Sequence, residues 1–442
     1  MITRRSLSIA CAFVILAACG GGGSSSDSGT TVASYTLGGT ITGLSSSGLV
    51  LGNGSATLSV ASSASSFSFG STSGSYSVTV VTQPDGQTCS VSDGSGSSTT
   101  DVSSVKVICR GYVAYVTNAG GSSLAMFSVG SDSGLLTALS TPRISTTYEP
   151  STIVLNTDGT YAYVAYRNNK RISAYSVGTT GVLGSLGTAD AASAGYALGL
   201  GPDGTTLYAA NYGAASVSQF SIGTTGVPAA MTTASVSSGV NPQAVVVTPN
   251  GKYAYVANAS DNTLSQYSVG SSGALTALAT AIFDISGIGK GPVAVAVDSE
   301  SNYLYVVLAD SGLVAQLAIG TTGLLSSQSF VTAGDSPSAI ALSPDGKYAY
   351  VANAGSDSVS QYSISSRTST KGYLTALSTA SVEAGDNPVA IAVSPDSSYV
   401  YVVNSTDATV SQYEIQSGGA LQALSAATVA TGGATPTSIA VR

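Results

Sequence analysis

The sequence predicts an all-β protein: a seven-bladed β-propeller closed by its C-terminal strand and preceded by a small β-sandwich module. Three observations predict it. First, a strand ending Tyr-Val-X-Asn, or a close variant, recurs with its tyrosine at Tyr115, Tyr163, Tyr208, Tyr255, Tyr305, Tyr350 and Tyr401. The copies are roughly 45–51 residues apart, a period that marks propellers and solenoids. Second, each full period divides into short apolar segments separated by turn residues, with no helical pattern between them. Third, the ends are complementary. The first copy begins at Gly111 directly with its second strand, and the chain ends at Pro436-Thr437-Ser438-Ile439-Ala440-Val441-Arg442, a first strand without the other three. Pairing the two closes the ring and leaves no bare edge.

Composition agrees with strands and narrows the chemistry. Of 442 residues, 43% are hydrophobic and only 8% are charged, with 52 glycines and 24 tyrosines. Such a mixture favours strands joined by tight turns. The formal charge is −8 and no basic run is present, which argues against a nucleic-acid partner. Histidine is absent, removing the side chain best suited to proton transfer near neutral pH and the commonest zinc ligand.

Residues 1–18 read as an export signal, with Arg4 and Arg5 before an apolar stretch too short to span a bilayer. Leu16-Ala17-Ala18-Cys19 resembles the bacterial lipobox, which implies lipid on Cys19 and a membrane partner through that lipid. Residues 19–34 form a Gly/Ser-rich tether. Gly20, where an inner-membrane retention aspartate often follows the lipidated cysteine, favours the outer membrane of a bacterial envelope. Residues 35–110 alternate apolar and polar side chains between turns, as in half-buried strands, and loosely resemble small immunoglobulin-like sandwich domains of surface lipoproteins. Cys89 and Cys109 fall in this module and are expected to form a disulfide in an oxidising compartment.

Residues 111–442 carry the propeller. In one full copy, residues 338–343 give a first strand, Pro344-Asp345-Gly346 a turn, 347–353 a second strand, 358–364 a third and 375–382 a fourth. Tyr115-Val116-Thr117-Asn118, the prolines of Asn241-Pro242, Ser336-Pro337 and Asn387-Pro388, and the block Ser-Pro-Asp-Gly-Lys-Tyr-Ala-Tyr-Val-Ala-Asn at 343–353 resemble the lactonase, or YVTN, seven-bladed propellers. That resemblance implies a ligand site at the channel mouth, on the face of the loops that lead into the first strands. Its members include sugar-lactone hydrolases such as 6-phosphogluconolactonases, and surface proteins without known chemistry.

Regular blades cannot by themselves specify a ligand, so departures from the repeat are the candidate site. Blade two has Tyr148-Glu149 in its leading loop and Tyr166-Arg167 followed by Lys170 and Arg171. Blade three adds Tyr196 and Tyr212, and blade five adds Lys290 and Asp310 after Leu308. Arginine or lysine here would hold a small anionic or sugar-like ligand, with tyrosines stacking on it. Glu149 and Arg167 are the catalytic candidates, as general base and oxyanion donor. Asp335, Glu383 and Asp386, with Asp310, are candidates for an oxygen-rich calcium site if they converge; no other cofactor is expected. With no histidine, the expectation is an envelope-anchored module binding a ligand or protein. The alternative is a lactonase-like hydrolase using carboxylates or a metal.

Overall fold

A computed structural model describes residues 34–442. The expected export signal, Cys19 and nearly all of the tether lie outside the described residues.

Among the described residues the N-terminal module is one hydrogen-bonded sheet of seven strands. Its central strand, Ser66–Thr82, pairs through its first half with Ser34–Thr42 and through its second half with Val50–Asn53. Gly70 and Gly74, at φ 75° and 77°, let this strand turn between the two pairings. The two layers of the expected sandwich are therefore joined by a continuous strand. Leu37, Leu51, Val105 and Val107 from both layers are fully buried in one core. Cys89 stands directly opposite Cys109 and is bonded to it across a separation of 20 residues. Closing such a loop stabilises by about 3 kcal/mol.

The propeller has seven four-stranded sheets. Blade two shows the order: Pro150–Leu155, Tyr161–Tyr166, Asn169–Val177 and Leu183–Asp190. Blade one takes Val113–Asn118, Ser123–Val129 and Leu136–Ser145 from the start of the repeat, and Pro436–Val441 from the chain's end as its first strand. Closure is thus as the sequence predicts. The short, small-residue first strands stand side by side around the axis, while the fourth strands form the exposed perimeter.

The recurring tyrosine explains the recurring phrase. Each of the seven is fully buried. Six donate their hydroxyl to a glycine carbonyl in the turn between the third and fourth strands of the next blade. Tyr115 reaches Gly181 at 2.6 Å, Tyr255 reaches Gly323 at 2.7 Å, and Tyr350 reaches Gly419 at 2.7 Å. Tyr401 reaches Gly134 at 2.6 Å and so bolts blade seven to blade one. A glutamine on the third strand adds a second tie, as where Gln219 accepts the Leu275 N–H of the next blade at 2.6 Å. The hydroxyl of Tyr163 is buried without a partner.

These two tyrosine environments predict opposite responses to the same substitution. Tyr350→Phe strands a buried carbonyl and should cost about 1–3 kcal/mol. Tyr163→Phe removes an unsatisfied hydroxyl and should be neutral, or stabilising by up to about 1 kcal/mol. Denaturant midpoints of the two variants test this; equal losses would show that the hydroxyl bonds do not hold the blades together.

The module sits on the face opposite the first-strand loops. The Tyr112 N–H bonds to the Gly86 carbonyl at 3.1 Å, and Gly86, at φ 61°, lies against Ser131 too closely for any Cβ. Gln83 and Thr88 of the module face Asp158, Pro202 and Asp203 of the first-to-second-strand turns across a shared groove. Among the described residues, none of the module lines the channel mouth on the other face.

Candidate functional site

The mouth is built by one local irregularity repeated in every blade. Pairing between first and second strands slips by one residue immediately after the first-strand position, which is proline in all blades except blade three, where it is Gly195. The skipped residue is a bulge, and bulges re-aim side chains. These residues are Ser151, Tyr196, Gln243, Val293, Ser338, Val389 and Thr437. Ser151, Gln243, Val293, Ser338, Val389 and Thr437 line a cavity of ≈ 610 Å³ at the mouth. Three bulge hydroxyls also latch neighbouring first strands. Ser151 donates to the Gly195 carbonyl at 3.2 Å, Ser338 to that of Pro388 at 2.7 Å, and Thr437 to that of Pro150 at 3.0 Å. Their donors are spent on the scaffold, and their oxygens can still accept from a ligand.

A second ring comes from the residue after each second strand: Ala119, Arg167, Tyr212, Ala259, Ala309, Ala354 and Ser405. Most are small because the chain passes close to the mouth here. A backbone bond from this residue's N–H to the carbonyl just before the first strand recurs around the ring, as in Ala354 to Ser336 at 3.0 Å. In blade two the same bond joins Arg167 to Glu149 at 2.9 Å. Among the described residues, Glu149 and Arg167 are the only charged ones lining the cavity. Both are exposed, and Asn168 Nδ2 donates to Glu149 Oε2 at 3.2 Å. Arg167 forms no ion pair with Glu149.

The other expected site residues divide sharply. Lys170 and Arg171 do not join Arg167. They turn to Asp190 on the perimeter strand, at 3.2 and 3.7 Å, because the hairpin register sets Arg171 opposite Asp190. Tyr166 is not a stacking surface: it is 2% exposed and donates to Ser173 Oγ at 2.7 Å. In four other blades an asparagine at this position bonds the same third-strand site, as Asn258 does to Ser265 at 2.9 Å. Burial pushes the Tyr166 phenol's pKa upward. Tyr148 is half-buried and packs edge-on against the Tyr166 ring, centroids 5.7 Å apart. Leu308 likewise replaces the asparagine with a fully buried apolar contact and offers no chemistry.

Tyr196 occupies the bulge position of blade three, and Tyr212 is 41% exposed in the second ring. Lys290 is exposed outside the cavity lining, and its N–H bonds Ser311 Oγ at 2.9 Å. Asp310 lies on the single turn Ala309–Ser311, with its carboxyl against Gly291. Asp335, Glu383 and Asp386 do not converge. Asp335 and Asp386 are one residue outside the lining, and Glu383 ends the perimeter strand Leu374–Glu383. Among the described residues no group of three or more acids, cysteines or histidines is placed to hold a metal ion.

Comparison with known proteins fits this architecture. The family described as lactonase, 7-bladed beta-propeller, matches residues 73–198 and 112–437. The chain belongs to this lactonase family. Among solved structures, the periplasmic gluconolactonase of Pseudomonas aeruginosa is 20% identical, covering 75% of this chain and 98% of its own, with a TM-score of 0.65. A provisionally assigned 6-phosphogluconolactonase of Bacteroides fragilis is also 20% identical, covering 75% and 98%, with a TM-score of 0.64. A functionally unknown protein of Desulfotomaculum acetoxidans is 13% identical, covering 74% and 98%, with a TM-score of 0.61. At these identities the structures establish the shared fold. No curated protein matches this sequence. Membership of the lactonase family favours the hydrolase expectation over that of a binding module.

Proposed function

We propose that this lactonase-family propeller hydrolyses a lactone at the channel mouth. The observation that carries the reading is that, among the described residues, Glu149 and Arg167 alone bring charge to the cavity lining, on segments joined by a backbone hydrogen bond. Glu149 takes a proton from water as the water oxygen attacks the ester carbonyl. Arg167 donates to the oxyanion that forms, and Asn168 holds the Glu149 carboxylate. Collapse breaks the ring C–O bond, and the proton on Glu149 passes to the leaving alkoxide, releasing a hydroxy acid. This division of labour needs no histidine.

Hydrolysis of sugar and acyl lactones, with and without EDTA, tests it. Glu149→Gln should lower kcat by about 10²–10⁴-fold and Arg167→Ala by about 10²–10³-fold. Turnover unchanged in both variants would remove the site, and loss on EDTA treatment would move the chemistry to a metal. One observation favours a second reading, a binding module: Glu149 and Arg167 are both exposed to water at an open mouth. No turnover, with polyol or carboxylate binding that Arg167→Ala abolishes, would decide for it.

A further inference from the structure

We infer that the mouth selects lactones bearing no phosphate or other dianionic group. This rests on the hydrolase reading and adds the substrate class. A phosphate monoester carries about −1.5 to −2 at neutral pH and is held by paired cations or converging N–H donors. Among the described residues the lining holds no pair of cations. Arg167 is, among the described residues, the one cation lining the cavity, and Glu149 shares the lining with it. Lys170 and Arg171 are turned away to Asp190.

The rim adds negative charge. Asp310, Asp335 and Asp386 are exposed, and each directly adjoins a lining residue: Ala309, Ser336 and Asn387. Further carboxylates occupy the backbone donors that could otherwise cradle an anion. Asp261 accepts the Val240 N–H at 2.6 Å, Asp357 that of Asn387 at 2.8 Å, and Asp407 that of Asp386 at 2.8 Å. Arg143 lies against Gly432, and neither it nor Lys290 lines the cavity. A dianion approaching this face meets net repulsion and finds one guanidinium. Ser151, Ser338, Ser405, Thr437, Gln243 and Asn387 instead give the lining the hydroxyls and amides that suit a neutral polyol.

Glucono-δ-lactone and its 6-phosphate are the probes. At about 20 mM salt the unphosphorylated lactone should show kcat/KM at least about 10-fold higher, and at about 300 mM the gap should narrow as the rim charges are screened. The double variant Asp335→Asn/Asp386→Asn should speed the phosphorylated lactone and leave the other unchanged. A phosphorylated lactone turned over as fast or faster by the native protein would overturn the inference. If neither lactone is hydrolysed, the hydrolase reading fails separately, and calorimetry with gluconate and 6-phosphogluconate tests selection by itself. Gluconate bound in preference would uphold it. Equal or preferred binding of the phosphorylated acid, or binding of neither, would overturn it.

Discussion

Removal of residues 435–442 is expected to abolish cooperative folding of the propeller. The deleted segment supplies blade one's first strand, which pairs with Val113–Asn118 from Pro436 opposite Asn118 to Val441 opposite Ala114. It also packs against the first strands of blades two and seven, so one deletion opens three blades at the axis. Every residue of Val113–Asn118 is buried in the closed ring and would become an apolar edge strand. Losing the burial of Ile439 and its neighbours, together with the strand's hydrogen bonds, should cost roughly 5–10 kcal/mol. That is comparable with the whole stability of an ordinary domain, about 5–15 kcal/mol. The truncated chain should therefore aggregate, or pair its exposed edge with another copy. A monomer that unfolds in one sharp transition at the native midpoint would show that the closure is dispensable.

How much was legible in the sequence depends on what kind of information each feature carries. The blades and their closure were fully legible, because the period, the turn residues and the complementary ends are properties of chain order. Glu149 and Arg167 were legible as charges breaking a nearly uncharged repeat. Lys170 and Arg171 were misjudged because nearness in sequence does not give radial position; within a few residues the third strand carries the chain outward, to Asp190. Tyr166 and Leu308 were misjudged for a different reason. A break in a motif looks like function, yet both fill the structural role of asparagine at the end of the second strand, one with a hydroxyl and one with apolar contact. The ring of bulge residues went unseen, since a bulge is a shift of pairing that no single side chain announces. A usable sign was present: the residue after each recurring proline varies among Ser151, Gln243, Val293, Ser338, Val389 and Thr437, while the strand beyond it stays apolar.

Alkaline pH should unfold the propeller in one steep transition, because its blades are bolted by phenols that must stay protonated. The seven motif tyrosines are fully buried, and burial raises the pKa of every one. Among the other buried tyrosines, Tyr112 and Tyr267 are pushed up to about 12, again by burial first. In the unfolded chain a tyrosine ionises near pKa about 10. The native state therefore binds protons more tightly than the unfolded state above that value. The contribution is whole below about pH 10 and is lost as pH rises toward the folded pKa values. At about pH 11 each of the six most strongly shifted, all but Tyr208, has given up about 1.4 kcal/mol, so together they remove about 8 kcal/mol, enough to consume a typical folding free energy. Circular dichroism followed alongside tyrosinate absorbance provides the test, and the chain's 24 tyrosines with no tryptophan make that absorbance easy to assign. Exposed tyrosines should titrate first, and the buried set should then ionise together with the loss of sheet signal. Gradual ionisation of the whole set in a chain that keeps its sheet signal beyond about pH 12 would show that the hydroxyl bolts are not needed to keep the ring closed.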